Sequence, residues 1–128
     1  MKYIETDNFN PETDPKLLCT CGHKDCDQRS VKQWVLDNVQ KVREDYNRAM
    51  EITSGGRCAN HKNEINKTKP GDHQLCFSVD VKYKTTVDRN KLMVLAGRHG
   101  ATRVAAGRNF VHMAWSPSSD RSVPSWEY

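Results

Sequence analysis

Cys76-Phe77-Ser78-Val79-Asp80-Val81-Lys82-Tyr83 changes character at every residue. Successive side chains of an extended chain point to opposite sides. Phe77, Val79, Val81 and Tyr83 therefore share one face, and Ser78, Asp80 and Lys82 share the other. The stretch predicts a half-buried β-strand that presents Asp80 on the face away from its core side.

Upstream, Val31, Trp34, Val35, Val39, Val42 and Tyr46 recur at three- and four-residue intervals behind Ser30, which suits an N-cap. This predicts an amphipathic helix of about four to five turns at the 3.6-residue period. Ala49 to Ser54 reads as a short strand closed by a tight turn at Gly55-Gly56, with Arg57 just beyond. Residues 60–71 are polar and end in a Pro70-Gly71 turn. Downstream, Asp88 is placed to cap a second helix through Leu92, Leu95 and Ala96, ending at Gly97 or Gly100. Strands follow at Thr102 to Ala106 and Asn109 to Trp115. Residues 1–16, with Pro11 and Pro15, read as an extended lead-in. The tail from Ser116 reads as a polar loop pinned by Trp126 and Tyr128. The expected fold is α+β, a small antiparallel sheet with helices packed on it, in a single domain over 1–128.

The chain of 128 residues is 36% hydrophobic and 28% charged, with three Trp, four Tyr and three Phe to anchor one modest core. Its apolar runs are short and its opening, MKYIETDNFN, lacks the basic and apolar regions of a secretory signal, so we expect synthesis in the cytosol and no membrane insertion. A net charge of +4 suits an anionic partner such as nucleic acid or a wall polymer, without choosing between them. Five cysteines cannot all pair internally. That favours reduced thiols or metal ligands, and Cys19, Cys21 and Cys26, with His23, Cys58 or Cys76 as a fourth donor, form a candidate structural metal knuckle.

A hydrolytic zinc site needs three nitrogen or oxygen ligands and one open position, and two histidines with a carboxylate are a recurrent solution. His73, Asp80 and His112 supply that set. His73 lies on the approach to the alternating strand, Asp80 seven residues on, and His112 on a later strand beside Phe110 and Ala114.

The ordered segments Ile52-Thr53-Ser54-Gly55-Gly56-Arg57, Gly71-Asp72-His73 with Asp80, and Asn109-Phe110-Val111-His112 resemble the zinc D-Ala-D-Ala carboxypeptidase and L-alanyl-D-glutamate endopeptidase family, within it the small phage-encoded branch. The resemblance runs from about Cys19 to Tyr128. It implies the fold shared with the hedgehog signalling domain, Zn2+ held by His73, Asp80 and His112, and substrate contacts from Arg57 and from Asp72. Arg57 would hold a carboxylate or polarise the scissile carbonyl with its planar guanidinium. The chain departs from the branch at its catalytic base. The late motif there reads His-x-Asp, whereas here it is His112-Met113-Ala114, and the nearby Gly107, Arg108 and Asn109 offer no substitute near neutral pH. Ala114 cannot carry a proton, so slow hydrolysis is expected.

The resulting expectation is an endolysin-like, zinc-dependent peptidase of peptidoglycan peptides, monomeric, made in the host cytoplasm and acting at the bacterial cell wall after membrane breach. A catalytically silent wall-binding or virion-associated module on the same zinc scaffold is the alternative that Ala114 favours. A zinc-ribbon nucleic-acid binder is the third reading. It has the basic charge but no recognisable groove-reading helix, so no nucleic-acid partner is expected.

Overall fold

The computed structural model describes residues 6–117 and the strand at 126–127. Two helices pack on one face of a small sheet: α1 (Gln33–Tyr46), β1 (Ile52–Ser54), β2 (Ser78–Lys82), α2 (Thr86–Arg98), β3 (Arg103–Ala106), β4 (Phe110–Ala114) and β5 (Trp126–Glu127). The strand order is β1-β2-β4-β3-β5. The first four strands pair antiparallel, and β5 adds two residues parallel to β3. That edge strand corrects the expectation of a tail that is loop throughout. The expected pinning by the Trp126 and Tyr128 side chains lies outside what is described.

The helical stripe is buried as its period predicts. Val35, Leu36, Val39 and Val42 have no exposed surface, and Tyr46 is nearly covered. The start of the helix differs. Ser30 is not its N-cap, because the backbone there is already committed to a bridge with Leu18, and Val31 N–H donates to Leu17 O. Helical geometry begins only after Lys32, whose N–H donates to Cys76 O. Trp34 lies at the rim, tilted against Phe77 and donating its indole N–H to Trp115 O.

At the second helix the cap is Thr85, not Asp88. Thr85 has extended backbone and its hydroxyl accepts the Asp88 N–H, while the Asp88 carboxylate pairs with Arg48 at 2.6 Å. The helix ends in a Schellman arrangement: Gly100, at φ +83°, donates to Gly97 O, and Ala101 donates to Ala96 O.

β2 is more covered than expected. Val79 and Val81 point into the core formed with the helices, but Ser78 and Asp80 on the opposite face are also buried. The cover on that side is the irregular chain between Gly55 and Phe77. Residues 6–16 drape over α1: Phe9 is buried, and Gln40 accepts from Thr6 Oγ1 and Asn8 N–H at 2.8 Å each.

Candidate metal centre and substrate cleft

Strand pairing builds the site. Asp80 on β2 lies directly across from His112 on β4, which lies directly across from Ala105 on β3. One pair further along the same face come Ser78, Ala114 and Arg103. His73 reaches the face from the loop ahead of β2. The ligand-type atoms of His73, Asp80 and His112 all lie within 4.8 Å of one another, and all three residues are buried. His73 Nε2 is 3.2 Å from Asp80 Oδ2, and the two imidazoles meet edge-on with centroids 5.0 Å apart.

The protons can be assigned from the partners. His73 Nδ1 is 2.7 Å from Gly55 O, and a carbonyl only accepts, so Nδ1 carries the hydrogen. The buried Nε2 is then the lone-pair nitrogen, and it faces the Asp80 carboxylate at 3.2 Å without a hydrogen bond to it. A bare, oriented imidazole nitrogen backed by a carbonyl is what a metal ligand requires. His112 has Nδ1 at 3.0 Å from Asp80 Oδ1 and Nε2 at 3.2 Å from Asp72 Oδ2. Burial alone would lower its pKa, but the Asp72 and Asp80 carboxylates outweigh that and raise it. Burial likewise opposes ionisation of Asp80, yet the His112 and His73 imidazoles beside it hold its carboxyl well below the ordinary value. The His73 nitrogen that makes no hydrogen bond and the donor set of two imidazoles and a carboxylate fit a zinc ion.

A cleft of about 380 Å3 opens over the cluster, walled by Arg57, Lys67, Asp72, Arg103 and Phe110. Arg57 stands where a substrate contact is expected, but its guanidinium is partly engaged: Nη1 donates to Glu64 Oε2 at 3.2 Å, while Nε is buried with no partner among the described residues. Asp72, the other expected substrate contact, is turned onto His112 and lies 3.4 Å from Arg103 Nη1. Arg103 is therefore part of the cleft.

Ala114 sits on the site face, one pair along from His112, and has no exposed surface. Its cross-strand neighbours are polar: Arg103 on one side and Ser78 on the other, with Ser78 Oγ buried and lacking a partner among the described residues. A carboxylate at position 114 would find a hydroxyl donor and a guanidinium beside it.

Three participants carry no signal of their role in the sequence: Glu64 lies in a polar stretch without periodicity, Ser78 is one polar residue of an alternating strand, and Gly55 has the pattern of a turn residue. Neither Gly55 nor Gly56 has positive φ. Gly55 is required because a Cβ there would come within 2.6 Å of Leu17 O, and this close passage sets the carbonyl that orients His73. Cys19, Cys21 and Cys26 do come together, with Cys58 and not His23 or Cys76 as the fourth member.

An antiparallel α+β scaffold that converges two histidines and a carboxylate beneath a cationic cleft has the make-up of a metal-dependent hydrolase. A family model described as Peptidase M15 matches residues 10–114, and the chain belongs to this family of zinc metallopeptidases of the D-Ala-D-Ala carboxypeptidase type. No curated protein and no solved structure matches the chain.

Proposed function

We propose that this protein binds peptidoglycan peptides over a zinc ion held by His73, Asp80 and His112, and that it is built for hydrolysis of an amide in them, with the fold of the D-Ala-D-Ala peptidase and hedgehog type. The observation that carries this reading is the buried Nε2 of His73, which faces the Asp80 carboxylate at 3.2 Å without a hydrogen bond and lies beside His112. Bound there, zinc would polarise the scissile carbonyl and lower the pKa of a water.

The remaining work falls to the chain. Gly55 O keeps His73 in one tautomer, and Asp72 fixes the His112 ring. Wall peptides carry free carboxylates, and the unpartnered Arg57 Nε, with Lys67 at the cleft wall, suits such a group. Glu64 holds both cations in place. What the site lacks is a proton acceptor at position 114. A positioned general base is worth about 10²–10⁴-fold in rate, so the chain as it stands is a slow hydrolase. Ala114 is equally the feature that favours the second reading, a silent wall-binding or virion-associated module. We further propose an endolysin-like setting: a monomer that meets its substrate at the bacterial wall after the membrane is breached, with no nucleic-acid partner. Among the described residues no helix is long and apolar enough to cross a membrane.

The test is hydrolysis of purified peptidoglycan and bound zinc, measured together for this chain, Ala114→Asp, His73→Ala and His112→Ala. We expect Ala114→Asp to raise the rate by about 10² or more, and either histidine variant to lose the zinc of this site. Rapid hydrolysis by the unaltered chain would refute the role of position 114. Zinc retained at this site by both histidine variants would refute the metal centre itself.

A further inference from the structure

At the other end of the Gly55-Gly56-Arg57-Cys58 segment lies a second cluster of metal-ligating groups that takes no part in the reading above. We propose that Cys19, Cys21, Cys26 and Cys58 hold a second, structural metal ion of the zinc class, closing a four-sulfur site that locks the N-terminal knuckle onto the chain supporting the cleft.

The geometry is that of a tetrahedral thiolate site. All four sulfurs lie within 4.8 Å of one another. At a zinc–sulfur distance of ~2.3 Å the edge of a regular tetrahedron is ~3.8 Å. Cys21 Sγ and Cys58 Sγ are 3.6 Å apart, near that edge and far from the ~2.05 Å of a disulfide. The four cysteines are free, and the fifth, Cys76, stands apart with its thiol directed to Gln74 O.

The cluster also receives a backbone donor: Gln28 N–H donates to Cys26 Sγ at 3.4 Å, and an amide aimed at a sulfur favours the thiolate that a metal ion binds.

All four positions belong to the protein and no nitrogen or oxygen ligand is present, which is the pattern of a closed structural site. The knuckle needs such a tie. Between Leu18 and Ser30 the only regular pairing is the bridge that joins those two residues, and residues 55–76 contain no helix or strand. The tie has a direct line to the cleft, because Cys58 follows Arg57, and Gly55, whose carbonyl orients His73, is pressed against Leu17. Cys21 is exposed and Cys26 half-buried, which gives the ion a way in.

The experiment is X-ray absorption at the zinc edge and total metal content of the intact chain prepared in zinc, with Cys21→Ser, Cys58→Ser and the conservative Cys26→His. We expect about two zinc ions per chain and a sulfur shell at ~2.3 Å beside the nitrogen and oxygen shell. Each serine variant should lose about one zinc and the sulfur shell, while Cys26→His keeps the ion with one sulfur fewer. A spectrum of the unaltered chain with no sulfur shell would overturn the proposal whether or not the variants fold, and so would a Cys21–Cys58 disulfide in its unreduced mass. The histidine–aspartate centre is read separately in the same data: its failure removes the nitrogen and oxygen shell and leaves the sulfur shell intact.

Discussion

Glu64 has no exposed side-chain surface, yet it carries a carboxylate that receives Arg57 Nη1 at 3.2 Å and Lys67 Nζ at 3.1 Å. A buried charge is tolerable only while its partners remain, and removing one side of such a pair leaves the other uncompensated. Both cations keep some contact with water, which moderates the effect. Glu64→Gln is therefore expected to cost about 2 kcal/mol, read from the urea midpoint, and to weaken peptide binding by loosening Arg57. An unchanged midpoint would show that the ion pairs are incidental. Arg57 could be singled out in the sequence from its place after Ser54-Gly55-Gly56, and the structure does put it on the cleft wall. Glu64 could not, because residues 60–71 have no periodicity from which burial could be read. Ser78 is a similar case: only its register opposite Ala114 gives the hydroxyl a meaning.

The turn that ends α2 tests how an element is delimited. Gly100 occupies left-handed backbone at φ +83°, where a Cβ costs roughly 1 kcal/mol, and no side-chain clash would add to it because the space around it is open. Gly100→Ala should therefore lower the melting temperature by roughly 4 °C, and Gly97→Ala, within the helix, should leave it level or raise it slightly. Equal effects from the two would contradict the assignment of the helix end. Both glycines were candidates in the sequence, and backbone conformation alone separates them. At α1 the long-range structure overrides the local signal. Ser30 has the chemistry of an N-cap, but a cap must leave its backbone free to enter the helix, and here Leu18 has claimed it. Local preference yielded to a pairing twelve residues away in sequence.

At the scale of the whole molecule the sheet separates two functions. One face, with Val79, Val81, Val104, Val111 and Met113, belongs to the core shared with the helices. The other carries Asp80 and His112 and is roofed by chain that has almost no regular structure. That roof is held by the packing of Gly55 and Gly56 on the N-terminal knuckle and by the two clusters of metal-ligating groups. Ions that bind only the folded chain stabilise it by mass action, about 2.7 kcal/mol at a hundredfold excess over Kd. Stripping the protein with a chelator should thus lower its melting temperature by several degrees, with recovery on addition of zinc but not of magnesium, which prefers all-oxygen sites. A melting temperature indifferent to verified metal removal would mean that the roof stands without ions.

Sequence by itself determined the alternating β2 strand, the buried stripe of α1 and the order of the strands along the chain, and it singled out His73, Asp80 and His112 as a candidate set, because each depends on periodicity or on the chemistry of single side chains. It also placed Ala114 where a carboxylate is expected. Tertiary structure alone decided what surrounds them. Only strand register sets Asp80 against His112 and Ser78 against Ala114, and only the close passage of Leu17 explains Gly55. The choice of Cys58 over Cys76 as the fourth sulfur was likewise decided in three dimensions. Such contacts join residues tens of positions apart, and the energy that selects them comes from burial and pairing across the fold, which leaves no local pattern in the chain.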